Sequence, residues 1–155
     1  SGNSVLPPPR PEAMAVLLNR PPAGDVEATI EAGVKAYKTI GSPGYPTDES
    51  EIRRRVAEDF KRSNYPAGFS RQAAAALANG DRRAALKRIE APTVVIHGAD
   101  DPLVPIEGGR DTAANIAGAE LIEIPGMGHD LPAALYSRVV DAIESVAKRA
   151  RVGTS

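Results

Sequence analysis

The sequence predicts an α/β chain in two unequal parts. A helical segment with proline-rich connectors covers residues 1–88, and a β-α-β-α unit with parallel strands covers residues 89–155. Three observations carry that expectation. The apolar residues change period near residue 88, from helical spacing to short β-branched runs. Two such runs, 92–97 and 119–124, are separated by one helix's worth of chain, the layout of a right-handed crossover between parallel strands. Each run ends in a glycine-containing loop of distinctive polarity, HGADDPLVP at 97–105 and PGMGHDLP at 125–132.

Taken in order, PPPRP (7–11) and NRPPAGD (19–25) are too rich in proline for regular structure and read as extended connectors. Val26, Ile30, Val34 and Tyr37 fall on one helical stripe, which ends before Gly41-Ser42-Pro43-Gly44, where Ser42 reads as a turn residue. Asp48 with Glu51 three residues on has the form of a capping box. It opens a helix with Ile52, Val56 and Phe60 on one face, while Arg53, Arg54 and Arg55 belong to a solvated face. RQAAAALAN (71–79) predicts a helix capped by Ser70 and stopped at Gly80, and Asp81 can cap a short helix, DRRAALKRI.

Beyond residue 88, Pro92–Ile96 reads as a strand covered on both faces and ending at Gly98. A helix from about Pro105 to Ala117 stops at Gly118, and Ala119 to Ile124 makes the second strand. Leu135, Val139, Ile143 and Val146 then mark an amphipathic helix that packs back on the sheet. Two strands fall short of the usual sheet of about four to six, so further strands are expected from elsewhere.

Bulk composition narrows the function. With 155 residues, 42% hydrophobic and 25% charged, the chain is one ordinary domain or part of a larger one. Nineteen basic against twenty acidic side chains create no field for nucleic acid or an anionic membrane, so neither is an expected partner. Zero cysteines exclude disulfides and thiolate metal sites; no metal or cofactor is expected, and the cytoplasm is the default location. No apolar run approaches the roughly 18 to 20 residues of a membrane span. The chain starts at Ser1, with its first methionine at Met14 inside a structured stretch, so it is expected to be cut from something longer or to carry an added Ser1-Gly2.

Both distinctive loops leave the carboxyl ends of neighbouring parallel strands, where open α/β sheets place their sites. Adjacent strands lie about 4.8 Å apart, so an Asp just past the first and a His just past the second can meet. Gly98 ends its strand, and Gly126 and Gly128 allow the turn that brings His129 over the sheet edge. A carboxylate accepting from imidazole Nδ1–H fixes the tautomer and stabilises the imidazolium formed when Nε2 takes a proton. The residues alone leave Asp100 and Asp101 both eligible as that acid, and His97, inside the strand end, reads as structural.

The stretch from Ile89 to about Ala150 resembles the C-terminal part of the α/β-hydrolase fold, in which HGxxDPLVP carries the triad acid and a GxGHDLP-like loop the triad histidine. That resemblance implies Asp101, three residues after the glycine, as acid and His129 as base. Residues 10–88 are similar to the helical cap of esterase-type members, and together with IPGMGHDLP look most like the aclacinomycin methylesterase branch.

The family needs a nucleophile on a strand-to-helix elbow, G-x-S-x-G, preceding acid and histidine. Gly68-Phe69-Ser70-Arg71-Gln72 is a decoy: RSNYPA before it is no strand, and Gln72 stands where glycine is wanted. SGNSVLPPPRPEA is similar to the segment after the sixth core strand, which implies that nucleophile and oxyanion hole lie on an absent N-terminal half. The expectation is the C-terminal portion of a serine-type, esterase-like hydrolase, inactive alone, acting on a small ester-like substrate. Its partner is expected to be its own N-terminal half or another copy of itself. Tyr37, Phe60, Tyr65 and Phe69 are expected to shape an acyl pocket. The alternatives are a non-enzymatic interaction module, or half of a dehalogenase or epoxide hydrolase with an Asp nucleophile.

Overall fold

The computed structural model describes residues 1–152 apart from Arg20, Ala23 and Asn64. Helices α1 (Pro11–Leu18), α2 (Val26–Ile40), α3 (Glu49–Arg62), α4 (Pro66–Asn79) and α5 (Arg83–Leu86) come first. Strand β1 (Val94–Gly98), helix α6 (Ile106–Ala114), strand β2 (Glu120–Ile124) and helix α7 (Tyr136–Val152) follow, with a 3₁₀ turn at Ala133–Leu135 leading into α7.

The strands pair in parallel, Val94 opposite Glu120 through Gly98 opposite Ile124, with α6 as the crossover. Both strands therefore end at one level, and the two loops leave the sheet side by side. Ile124 is fully buried, but Val94 to His97 are only half-buried, so β1 is not covered on both faces as its composition predicts. Helix α7 packs on β1. It turns Ala142 inward at 8% exposure and leaves Ile143 57% exposed, which corrects the predicted stripe. The observed stripe of Leu135, Val139, Ala142 and Val146 alternates steps of four and three residues, as a 3.6-residue period requires.

In the helical part, α2 packs on α1 and α3. Ile30, Val34 and Ile52 form a buried cluster against which Tyr37, Val56 and Ala57 pack; the predicted stripes supply most of it, but Val26 at the start of α2 is exposed. Helix α1 is not among the expected elements. It starts at the last proline of PPPRP, where a missing N–H and a preset φ suit the first helical turn, and its Ala13 is fully buried.

The capping box at α3 does not form. Asp48 sits at the N-cap without a side-chain hydrogen bond, while Glu51 is held by Arg54 and Arg55, charge-assisted partners that outcompete a backbone amide. Those guanidinium groups draw the Glu51 carboxyl down to about 2. Arg53 pairs with Glu27 and Glu31 on the same exposed surface. Helix α4 begins at Pro66, so Ser70 lies inside it and is not its N-cap. Again a proline at the first helical position sets the start. Asp81 is not the N-cap of α5, a place taken by Arg82 without a side-chain cap; it lies one residue earlier and accepts the Arg83 N–H at 2.9 Å.

Ile52 is the side chain on which the helical part closes, only 2% exposed. Ile52→Ala is expected to destabilise the protein by about 2–4 kcal/mol in urea unfolding, against less than about 0.5 kcal/mol for Leu77→Ala on the exposed side of α4.

Candidate active site

The acid loop is built first. After β1 the chain turns, with the Asp101 N–H donating to Gly98 O at 3.3 Å. Pro102 follows, favouring the turn through its fixed φ. Asp101 is 8% exposed, one of two buried polar side chains among the described residues. Its Oδ1 accepts the N–H groups of Leu103 and Val104, both at 2.8 Å, and its Oδ2 lies 2.8 Å from His129 Nδ1. An ionised carboxylate only accepts, so Nδ1 carries the proton and Nε2 is the nitrogen left for proton transfer.

These contacts act on both titrating groups. Burial raises the Asp101 carboxyl pKa, but the bonds from His129 and from the Val104 and Leu103 amides outweigh it, and the net direction is down. The bond to Asp101 raises the His129 pKa against the opposing effect of burial, with smaller help from the charges of Asp101 and Asp130. The pair is thus poised to hold an imidazolium beside a carboxylate.

Asp100 does something else. Its Oδ2 accepts the Gly126 N–H at 2.6 Å and its own N–H donates to Met127 O at 3.0 Å, stitching the acid loop to the histidine loop. His97 lies between strand and loop, its Nε2 hydrogen-bonded to Val104 O at 2.7 Å and 3.9 Å from Asp101 Oδ2.

Gly126 takes φ +77° where the chain turns after β2. Gly128 works differently from the sequence expectation: its φ is not positive, and a Cβ there would collide with the carbonyls of Gly41 and Ile40. Close approach to the end of α2 is what demands glycine.

Sequence reasoning passed over the residues on the other side of this loop. Ser42, read as a turn former, is 7% exposed; its Oγ donates to Asp130 Oδ1 at 2.5 Å and accepts the Gly128 N–H at 2.9 Å. Tyr37 OH donates to Asp130 Oδ2 at 2.9 Å. A serine between glycine and proline carries no local sign of partners 88 positions away.

A cleft of about 420 Å³ lies beside this network, lined in part by Arg10, Tyr37, Ser42, Tyr45, Asp100 and Pro102. Of the four aromatics expected to shape an acyl pocket, Tyr37 alone lines it; Tyr65 is 55% exposed, with the Arg71 guanidinium 5.5 Å from its ring centre. Ser70 sits in helix α4, not on a strand-to-helix elbow. Among the described residues, no cluster of His, Asp or Glu could hold a metal ion, and no helix is long and apolar enough to cross a membrane.

The family model for the alpha/beta hydrolase fold matches residues 26–132. Rhodomycin D methylesterase DauP from Streptomyces sp. (strain C5) is 30% identical over 131 residues, 83% of this chain and 43% of that protein. Rhodomycin D methylesterase DnrP from Streptomyces peucetius is also 30% identical, over 133 residues covering 84% of this chain and 43% of the relative. The chain thus spans less than half the length of these curated relatives. The meta-cleavage product hydrolase CumD from Pseudomonas fluorescens shares the fold with a TM-score of 0.68 at 18% identity, over 92% of this chain and 51% of that one.

The two pKa directions define a pH window. A raised His129 value makes its contribution to stability full below the unfolded value of about 6.5 and lost as pH rises through the folded value. A lowered Asp101 value makes its contribution present above about 3.9 and lost as pH falls through the folded value. The melting temperature of Asp101→Asn should therefore lie furthest below that of the parent at about pH 5 to 6, with the gap narrowing toward about pH 9. A gap independent of pH would show that the two side chains are not coupled in solution.

Proposed function

The chain belongs to the α/β-hydrolase fold family, and on that footing we propose that it is the C-terminal portion of a serine-type carboxylic ester hydrolase. In this reading α1–α5 form the helical cap and residues 89–155 the last part of the catalytic core. Asp101 and His129 are the acid and base, while the nucleophilic Ser and the oxyanion-hole donors lie on a preceding segment of a longer protein. The observation that carries the reading is the 2.8 Å contact between Asp101 Oδ2 and His129 Nδ1 at the carboxyl ends of adjacent parallel strands.

The chemistry follows from that contact. His129 Nε2 takes the proton of the Ser hydroxyl as its oxygen attacks the ester carbonyl, and Asp101 stabilises the resulting imidazolium. The same nitrogen then returns the proton to the departing alcohol oxygen, leaving an acyl-enzyme. Water, deprotonated by His129, attacks the acyl carbon; the proton passes back to the Ser oxygen as the carboxylic acid leaves. The methylesterase names of the relatives support an ester as substrate, and ester hydrolysis fits a Ser nucleophile better than the Asp of dehalogenases and epoxide hydrolases.

The surface supports a partner for the chain. The sheet has the order β1-β2 alone, so β1 offers its other edge for pairing, and Leu77, Val140 and Ile143 stand at least half exposed. The proposed occupant is the N-terminal half of the same protein, with self-association through the open edge as the substitute in its absence.

In the full-length protein, His129→Ala and Asp101→Asn should each lower kcat/KM toward an activated ester by several powers of ten. Asp100→Asn should cost little, because the amide oxygen still accepts the Gly126 N–H. A large loss at Asp100 with Asp101 neutral would transfer the acid role to Asp100.

The 155-residue chain by itself should show no ester turnover and should elute as an oligomer in chromatography with light scattering. A stable monomer would count against the half-core reading. Turnover abolished by Ser70→Ala would overturn it.

A further inference from the structure

The histidine loop is held from two sides. On one side is Asp100 of the acid loop, as described above. On the other is the C-terminal end of α2 with the turn that follows it: Ile40 O accepts the His129 N–H at 2.8 Å, Gly44 N–H donates to Gly126 O at 2.9 Å, and Ser42 Oγ accepts the Gly128 N–H. Asp130, directly after His129, is gripped through both carboxylate oxygens by the hydroxyls of Ser42 and Tyr37. Helix α2 and the turn that follows it therefore bond to the backbone or side chain of the residue before, the residue at, and the residue after the imidazole.

We propose that Ser42, Tyr37 and Asp130 form a positioning unit through which the end of helix α2 sets the orientation of the His129 ring toward Asp101. It rests on the hydrolase reading and deepens it, because it makes the helical part of the chain a determinant of the acid–histidine geometry as well as a cover for substrate. None of the three is a catalytic residue; they act on His129 through the loop that carries it.

The chemistry of the unit is economical in atoms. A hydroxyl offers one donor and two acceptor positions, and Ser42 uses the donor on a carboxylate and an acceptor on the Gly128 amide, so one buried group fixes two consecutive stretches of the loop. Ser42→Ala removes one oxygen and little volume, and leaves the Gly128 N–H and one Asp130 oxygen without these partners. Tyr37→Phe removes the phenol hydroxyl with its hydrogen bonds to Asp130 and Thr47, keeping the ring that packs against the Ile30–Val34–Ile52 cluster.

The ionisable groups around His129 allow the effect to be separated from a direct electrostatic one. Asp101 faces the ring from the acid loop, with His97 behind it, and Asp130 lies on the histidine loop with Tyr37 facing it from α2. Ser42→Ala and Tyr37→Phe change no charge. A movement of the His129 titration in those variants reads its placement against Asp101 or Asp130, and the same substitutions on an Asp101→Asn background, where the movement should vanish, assign it to the Asp101 contact.

The sequence contains two histidines, so an NMR titration of the imidazole C–H signals of the 155-residue protein resolves both and needs no enzymatic activity. Ser42→Ala and, more weakly, Tyr37→Phe should lower the His129 midpoint by more than they move that of His97. Ser42→Thr, which retains the hydroxyl, should restore it.

Reduced melting temperatures in Ser42→Ala and Tyr37→Phe with an unmoved His129 midpoint would overturn the proposal, since that is what a purely structural role produces. If Ser42→Ala does not fold, Tyr37→Phe decides by the same criterion. The Asp101→Asn variant separates this from failure of the hydrolase reading. A His129 midpoint indifferent to Asp101→Asn would remove the acid–histidine pair altogether, and the proposal with it. A midpoint lowered by Asp101→Asn but not by Ser42→Ala or Tyr37→Phe would leave the pair standing and reject the positioning unit alone.

Discussion

The in-register parallel pairing of β1 with β2 is the constraint on which the rest of the site depends. Gly98 lies opposite Ile124, so two loops that are far apart in the chain start from adjacent points at one sheet edge. Parallel neighbours need a crossover, and α6 supplies it. A slip of one residue in that register would turn every side chain of one strand to the other face and displace one loop along the strand direction by about 3.3 Å. The Asp101–His129 contact, whose length is that of a single charge-assisted hydrogen bond, would not survive such a shift.

Irregular backbone close to a buried carboxylate has to find hydrogen-bond partners other than a ladder, and this chain finds them in the neighbouring loops. Asp101 spends one oxygen on its own loop, at Leu103 and Val104, and the other on His129. Asp100 joins the acid loop to the histidine loop, and Ser42 joins the histidine loop to α2. Each loop is thereby defined by another, and the site is held as one hydrogen-bonded block that includes the end of a helix from the helical part. Shape enforces the same arrangement: Gly44 and Gly126 meet backbone to backbone, where a Cβ on Gly44 would stand 2.8 Å from the Gly126 Cα.

The same molecule is sparsely covered elsewhere. Its sheet has two strands, none of the described side chains of α4 is buried, and Val140 and Ile143 of α7 face outward. The chain spans 43% of the length of its methylesterase relative from Streptomyces sp. (strain C5), and on the proposed reading these open surfaces are the ones that the rest of a longer protein covers. The firmest packing in the helical part, around Ile52, lies between α2 and α3, and α2 reaches the histidine loop through Ile40 O and Tyr37 OH. Packing strength and functional position coincide there.

The sequence by itself determined the elements whose signals are local. The stripe of Ile30 and Val34, the β-branched run at 94–96 and the polar loops at 97–105 and 125–132 all depend on neighbours a few residues away; α2 and both strands form where predicted within a residue or two, while α6 ends at Ala114, three residues short of the predicted Ala117. Asp101 and His129 could be singled out because each sits in a short distinctive string. Prolines misled in two places, hiding the starts of α1 and α4 behind what looks like connector. Only the tertiary structure decided that Glu51 serves arginines and not a helix cap, that Ala142 and not Ile143 meets the sheet, and that Ser42 is buried against Asp130. Each of those outcomes is a competition between partners, and its winner is fixed by which groups the fold brings together, a distance in space that no spacing along the chain encodes.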